Sequence, residues 1–423
     1  MSTSGSTNPL TSRHELPRHS DTAVPPDRPF AQIPQMPTIG GSHPRTALWS
    51  KLRKLFRFMT IYGPGRTMVK AAGRLRMRVS LPTIRRPRPD IGVIGCGQFA
   101  FATIGYYLVR AFGRRIATCF DIDKAAQHSF QQAFAVANEA QDIKELLDRE
   151  GLRTVYIASN HASHSRYAVE AIRRGLDVYI EKPISVTVDG LVALLRAMRG
   201  SEARVFAGYN RPFSPAIRLL RQEVTIDPMC GFSIQCFVSG HKIQADHWYR
   251  KPEEGTRVCG NMGHWLDLAV HLLMWRSMPD ILKISLNVAN DQEQDDNLIV
   301  AFNSDRGDVF SLMLTSTCEP FEGINETINI QHANTICKID DFRRITIWQD
   351  ERLITKRFWP KNVGHGRAIL QPFQSEMKRD WQEVVMSTLL MLHITDMVRT
   401  NCRSSTFSFR RSWETISNQV ASG

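Results

Sequence analysis

The segment Ile91-Gly92-Val93-Ile94-Gly95-Cys96-Gly97-Gln98-Phe99-Ala100 joins an apolar run to a helical one through the pattern G-x-G-x-x-A. It constrains the fold because each small residue has a backbone task. Gly95 permits a tight turn out of a strand, Gly97 lets the backbone approach a phosphate-bearing ligand, and Ala100 lets the next helix pack close to the sheet. The start of that helix presents N–H groups and a positive dipole end to a pyrophosphate. Asp121 ends the next apolar run, twenty-one residues beyond Ala100. A carboxylate there accepts from ribose hydroxyls and repels a 2′-phosphate. Together these residues predict a dinucleotide cradle, with NAD favoured over NADP. Its contacts are Gly95, Gly97, Gln98, Phe99, Ala100 and Asp121. The neighbouring Asp123 reads as a helix N-cap.

The rhythm around this turn is strand, helix, strand. Strands are expected at 90–94, 116–120, 155–158, 176–180 and 204–207, with helices at 100–111, 164–173 and 188–199. Such alternation implies right-handed crossovers and a doubly wound parallel α/β sheet over residues 90–212. After Pro212 the strand-like runs become consecutive, at 231–238, 281–288, 297–302, 309–315, 326–330, 335–340 and 345–349. They predict an α+β domain with a largely antiparallel open sheet over 213–403. Helices at 262–275 and 374–400 interrupt and close it, and residues 404–423 are expected as a tail. An open sheet face suggests pairing with a second copy, a homo-oligomer.

Composition matters mainly for the N-terminus. The 423 residues carry a formal net charge of +13. Residues 41–89 hold 13 Lys and Arg and no Asp or Glu, whereas from Asp90 onward 38 basic residues balance 38 acidic ones. The basicity therefore belongs to one segment, and a nucleic-acid-binding body is not indicated. Residues 1–44 are rich in Ser, Thr and Pro and have the composition of disorder. Residues 45–89 read as a basic helical arm and linker, with Leu48, Leu52, Leu55, Phe56 and Met59 on one face and cations opposite. Such an arm packs on its own body or on a second subunit, or lies on an anionic membrane surface through residues 46–79. A stacking, base-reading module is missing from it. The chain lacks a secretory pattern and any C-x-x-C pair, and its eight cysteines fall mostly in apolar runs. A cytoplasmic protein with reduced thiols and no metal site is expected, in peripheral membrane contact at most.

Two further groups carry chemistry. Glu181-Lys182-Pro183 follows an apolar run at the sheet edge where ligands bind in such folds. Proline fixes the local backbone, and a cis peptide there would aim the lysine inward. Further on, Gly260-Asn261-Met262-Gly263-His264-Trp265-Leu266-Asp267 places His264 and Asp267 one helical turn apart. A histidine with a nearby carboxylate is a natural general base at neutral pH. His271 lies on a similar face and reads as a packing residue.

These residues together resemble the glucose–fructose oxidoreductase/inositol dehydrogenase family, often written Gfo/Idh/MocA. The resemblance runs from about Asp90 to about Arg403. It rests on Gly95-Cys96-Gly97, Asn160 through His164, Glu181-Lys182-Pro183, Gly208-Tyr209-Asn210-Arg211 and His264-x-x-Asp267. Asp246-His247-Trp248 and Glu254-Gly255 look like the subgroup associated with bacterial surface-polysaccharide synthesis. The resemblance implies NAD(P)-dependent hydride transfer at a carbinol carbon of a sugar, nucleotide sugar or cyclitol. It implies Lys182 and His264 as catalytic residues, with Asp267 beside them. Ser159, Asn160, His164 and Glu181 are expected on the nicotinamide side. Tyr209, Arg211, His247, Trp248 and Asn261 are candidates for holding the sugar. In one departure, many members carry an aspartate four residues before the histidine, where this chain has Gly260. That departure leaves room for another reading, a nucleotide-binding scaffold docked through its basic arm.

Overall fold

The computed structural model describes residues 44–77, 85, 87–290, 292, 294–318, 323–374 and 378–422. The expected disordered tail, up to residue 43, lies outside the described residues. Six strands form a parallel sheet: β1 Ile91–Ile94, β2 Ile116–Phe120, β3 Asn138–Glu139, β4 Thr154–Ile157, β5 Asp177–Ile180 and β6 Val205–Ala207, in the order β3-β2-β1-β4-β5-β6. The sheet order reverses beside β1, so the crevice opens at the turn where Gly95 follows that strand. β1 and β4 are buried throughout, which is why both read as unbroken apolar runs. Asp123 caps the helix Lys124–Phe134 by accepting from the N–H groups of Ala125 and Ala126, as expected.

The second sheet has nine strands: β7 Phe232–Ser239, β8 Ile281–Val288, β9 Asn297–Ser304, β10 Val309–Thr315, β11 Asn325–His332, β12 Thr335–Asp340, β13 Arg344–Gln349, β14 Arg352–Arg357 and β15 Ser404–Ser408. All its pairings are antiparallel except β7 with β10. Phe232, Ile234, Cys236 and Val238 of β7 face the core and alternate with outward residues. The helices Gly263–Met274 and Trp381–Arg399 cover the inner face, and one hydrophobic core runs from there under β4 and β5. Residues 404–423, expected as a tail, instead supply β15, paired to β8, and the helix Phe409–Ala421, which buries Phe409 and Ile416.

The arm forms two helices, α1 Pro44–Tyr62 and α2 Pro64–Arg74. Val69 of α2 is buried in the same cluster as Ile91, Val93 and Phe101 of the parallel-sheet domain. Gln98 Nε2 donates to Lys70 O at 3.1 Å, and Arg76 pairs with Asp123 at 3.2 Å. Of the alternatives read from the sequence, α2 follows the one in which the arm packs on its own body. α1 differs: Trp49 and Phe56 are 69% and 67% exposed, and Leu52, Leu55 and Met59 are also exposed.

Candidate active site

The glycine turn has the form the sequence required. Gly95 adopts φ 89°, and a Cβ there would come within 2.4 Å of Ala158 O. Around Gly97 nothing lies within 4 Å of the corresponding position, so this backbone faces open space. The helix that follows begins with a π-helical turn, Ala100–Gly105, and becomes α-helical at α3, Tyr106–Phe112. Asp121 Oδ2 accepts from Cys96 N at 2.6 Å, and Oδ1 from Asp123 N at 2.8 Å. The carboxylate is thus held against the turn, with lone pairs left for ribose hydroxyls. Residues 95–100 and Asp121 fit a dinucleotide: an open backbone for the pyrophosphate and a fixed carboxylate beside it.

Lys182 follows β5 at the same edge, and its peptide bond to Pro183 is cis. Its Nζ donates to Gly260 O at 2.8 Å, which ties the first domain to the segment carrying His264. Glu181 is buried and accepts from Tyr179 OH at 2.9 Å and from Lys182 N at 3.2 Å. Burial pushes its carboxyl up to about 7, against the opposing pull of Lys182 and Tyr179. His164 Nδ1 lies 2.8 Å from Pro183 O and Nε2 3.0 Å from Ser159 O, so this ring braces the Lys182–Pro183 loop. Ser159 Oγ and Ser163 Oγ are 2.7 Å apart. Asn160 Nδ2 donates to Glu254 Oε1 at 2.7 Å and thereby joins the loop after β4 to the second domain.

His264 lies in the first turn of the helix Gly263–Met274. Its Nδ1 is buried without a hydrogen-bond partner among the described residues, as are Asn261 Oδ1 and His365 Nδ1. Burial, with Arg211, Lys182 and His365 nearby, holds the His264 imidazolium well below the usual range, so the ring is neutral at pH 7. A neutral imidazole with an unsatisfied nitrogen is the form a general base needs.

Asp267 corrects the sequence reading. It is fully buried, and its oxygens accept from Arg379 Nη1 and Nη2 at 2.8 and 3.0 Å and from Ser387 Oγ at 3.0 Å. The carboxylate therefore points to the helix Trp381–Arg399 and not to His264. Two sugar candidates are likewise internal. Tyr209 is buried, with its hydroxyl 4.0 Å from Met391 Sδ. Arg211 makes a buried bidentate pair with Glu326, at 2.9 and 3.1 Å, and stacks 4.2 Å from the centroid of the Trp265 ring. His247 and Trp248 lie at the protein surface in an aromatic cluster with Tyr249 and His161.

Three site residues escaped the sequence reading. His161 and Tyr249 fill the space beside Gly260: a Cβ there would meet Tyr249 Cε2 at 2.7 Å and His161 Cε1 at 3.0 Å. Gly260 is thus the residue that lets these two rings approach, and its carbonyl takes the Lys182 bond. His365, in the helix His365–Leu370, packs edge-on to Phe99 of the glycine turn with ring centroids 5.6 Å apart. Asn210 Nδ2 donates to Val363 O at 2.6 Å and Gln371 Nε2 to Ala207 O at 3.0 Å, which pins that helix to the end of β6.

Two predictions follow from this packing. Gly260→Asp overpacks this chain, because its Cβ would meet the Tyr249 and His161 rings. It should cost about 1–3 kcal/mol in urea denaturation and lower activity. Adding Tyr249→Ala should recover part of the stability. Separately, burial holds His161, His164, His264 and His365 below their usual range. The unfolded chain takes up these protons near pH 6.5 and the folded one does not. Stability is therefore complete above about pH 6.5 and falls below it, by up to about 1.4 kcal/mol per pH unit for each histidine. Glu181, with its raised value, opposes one of these protons between about 4.5 and 7. Calorimetry should show a lower Tm at pH 5.5 than at pH 7.5.

A parallel sheet with this glycine turn is joined to an open antiparallel sheet, and the helix that covers the latter carries His264, four residues after the carbonyl that takes the Lys182 bond. Residues 90–209 match the family model described as an oxidoreductase family with an NAD-binding Rossmann fold. Over those residues the chain is similar to the Gfo/Idh/MocA oxidoreductases. It is 30% identical over 142 residues to inositol 2-dehydrogenase of Ralstonia nicotianae, a match that covers 32% of this chain and 41% of that protein. The chain thus spans less than half the length of that relative. Among solved structures, a dehydrogenase (MviM) from Clostridium difficile superposes with a TM-score of 0.60 at 15% identity, over 73% of this chain and 99% of that one. Levoglucosan dehydrogenase in complex with NADH gives 0.62 at 14% identity, over 76% and 99%. These likenesses establish the fold of both domains.

Proposed function

We propose that this protein is an NAD-dependent dehydrogenase or reductase acting at a carbinol carbon of a sugar, nucleotide sugar or cyclitol. One observation carries the reading. Lys182 follows β5 at the edge of the parallel sheet and is anchored on Gly260 O, and the neutral, unsatisfied His264, four residues on, lies within its electrostatic reach. NAD, when bound, supplies the hydride acceptor. Gly95, Gly97, Gln98, Phe99 and Ala100 would hold its pyrophosphate, Asp121 its ribose, and Ser159 and Asn160 the nicotinamide end. Asp121 favours NAD over NADP. His264 takes the hydroxyl proton of the substrate, and Lys182 stabilises the oxygen that the proton leaves. Glu181 and His164 position Lys182 from behind. Asn261, with its unsatisfied oxygen, and the His247–Trp248 cluster are the sugar contacts this geometry favours. The segment from Asp246 to Gly255 supports a substrate drawn from surface-polysaccharide synthesis.

The test is a fluorescence titration of NADH with the purified full chain, followed by a screen of cyclitols and nucleotide sugars. Saturable binding and turnover are expected. Binding without any turnover favours a scaffold role, and absence of binding refutes the reading.

The outer faces support two assemblies. Phe237, Val309, Met313, Ile336 and Trp348 are exposed on the open sheet, a face suited to a second copy of the chain. α1 exposes its apolar stripe beside cations with no acidic residue from 41 to 89, which suits an anionic bilayer. No helix among the described residues is long and apolar enough to cross a membrane. Flotation with phosphatidylserine vesicles should capture the wild type and lose it after Trp49→Ala with Phe56→Ala. Equal capture of both would remove the bilayer reading.

A further inference from the structure

The arm closes a cavity that hydride transfer does not use. Its volume is about 680 Å³, and it lies between the α1–α2 junction, α3 and the end of β14 with the loop that follows. Arg66, Arg110, Arg357 and Lys361 line it, and none of its lining residues is acidic. Lys361 is neutralised by Asp341 at 2.5 Å. Arg66, Arg110 and Arg357 have no carboxylate within ion-pair distance among the described residues. The Arg66 guanidinium lies 5.6 Å from the ring centroids of both Tyr62 and Tyr107. Arg110 Nη1 donates to Tyr106 OH at 2.9 Å. Three guanidinium groups around one hollow repel one another until an anion enters, and their planar forks match phosphate oxygens. The first turn of α2 opens onto the same hollow with no side-chain cap.

The walls are aromatic. Trp359 is 69% exposed, yet Trp359 Nε1 donates to Thr60 O at 2.8 Å, so its exposed ring is held in place. Lys361 N donates to Ile61 O at 2.8 Å and fastens the loop to the arm. An exposed tryptophan held rigid beside Tyr62 and Tyr107 offers stacking or apolar contact at low entropic cost. The volume lies within the range of small-molecule sites.

We infer that this cavity binds an organic diphosphate, with the phosphates on Arg66, Arg110 and Arg357 and the organic group against Tyr62, Tyr107 and Trp359. The cavity adjoins the proposed active site through His365, which packs on Phe99 of the glycine turn and lies within electrostatic reach of Lys182 on one side and of Arg66 and Lys361 on the other. The diphosphate is thus the handle of a diphosphate-linked sugar whose other end reaches the cleft. That role rests on the dehydrogenase reading, whereas binding itself does not. Two sources share this chemistry, a nucleoside diphosphate and a lipid diphosphate.

Calorimetric titration of the full chain, saturated with NADH to fill the glycine-turn cradle, decides the matter. The probes are UDP, farnesyl diphosphate below its micelle concentration, and inorganic pyrophosphate. One of the two organic probes should bind at least tenfold more tightly than pyrophosphate, and its identity names the source. Arg110→Ala and Arg357→Ala, both at exposed positions, should each weaken it about tenfold with Tm unchanged. The inference is overturned if neither organic probe exceeds pyrophosphate, if NADH competes with the probe, or if both variants bind as wild type does. Should binding hold while no diphosphate-linked sugar is turned over, the site stands and the handle role falls.

Discussion

Lys182→Ala is expected to lower kcat/KM by about 10²–10³-fold on any substrate the protein turns over, with NADH affinity nearly unchanged. The reason is geometric. Lys182 Nζ spends one of its three donors on Gly260 O, and the other two have no hydrogen-bond partner among the described residues. A cation held in this way need not reorganise as negative charge develops on the substrate oxygen. Removing it also removes a cross-domain tie, so a modest Tm decrease should accompany the kinetic loss. The loss should fall mainly on kcat, because the interaction strengthens as the oxygen becomes alkoxide-like. Steady-state kinetics on wild type and variant, at measured dinucleotide occupancy, checks both parts. Unchanged turnover would remove Lys182 from the chemistry.

Asp267→Asn should destabilise the fold by about 3 kcal/mol while leaving the pH profile of turnover in place. Breaking a buried ion pair costs about 3–5 kcal/mol. The lower end applies because Arg379 keeps Glu383, whose Oε2 accepts from its Nε and Nη2 at 3.2 and 3.0 Å. Urea denaturation reads the loss. An aspartate that assisted His264 would behave differently: kcat would fall and the acid limb of the pH profile would move, with stability preserved. The two roles are thus separable in one variant.

The Asp267 result shows where sequence reasoning reached its limit. Residues one helical turn apart share a helix face, which placed Asp267 beside His264. The helix Gly263–Met274 is buried on nearly every side, however, so sharing a face does not mean facing the cleft. Arg379, 112 residues distant in the chain and just before the helix Trp381–Arg399, takes Asp267 instead. The glycine turn, Lys182 and most strand positions were legible because each leaves a local pattern: small residues at fixed offsets, or period-two alternation. β14 reads Arg-Leu-Ile-Thr-Lys-Arg and is exposed along most of its length. β15 buries one residue, Phe407. Edge strands of this kind carry no alternation to read. His365 was illegible for another reason. It reaches the site only because Asn210 and Gln371 pin its helix to β6, a tertiary placement with no local signature. The space beside Gly260 belongs to the same class, since the rings that occupy it come from residues 161 and 249.

The most direct test of the whole account is absorbance at the reduced-nicotinamide band under single-turnover conditions. The full chain, in excess over dinucleotide, is mixed with a panel of cyclitols, free sugars and nucleotide sugars, with NAD in one series and NADH with the corresponding ketones in the other. The account predicts that at least one substrate gives a stoichiometric absorbance change, abolished by His264→Ala with dinucleotide binding intact. A change that persists in His264→Ala, or bound dinucleotide that no member of the panel oxidises or reduces, would contradict it.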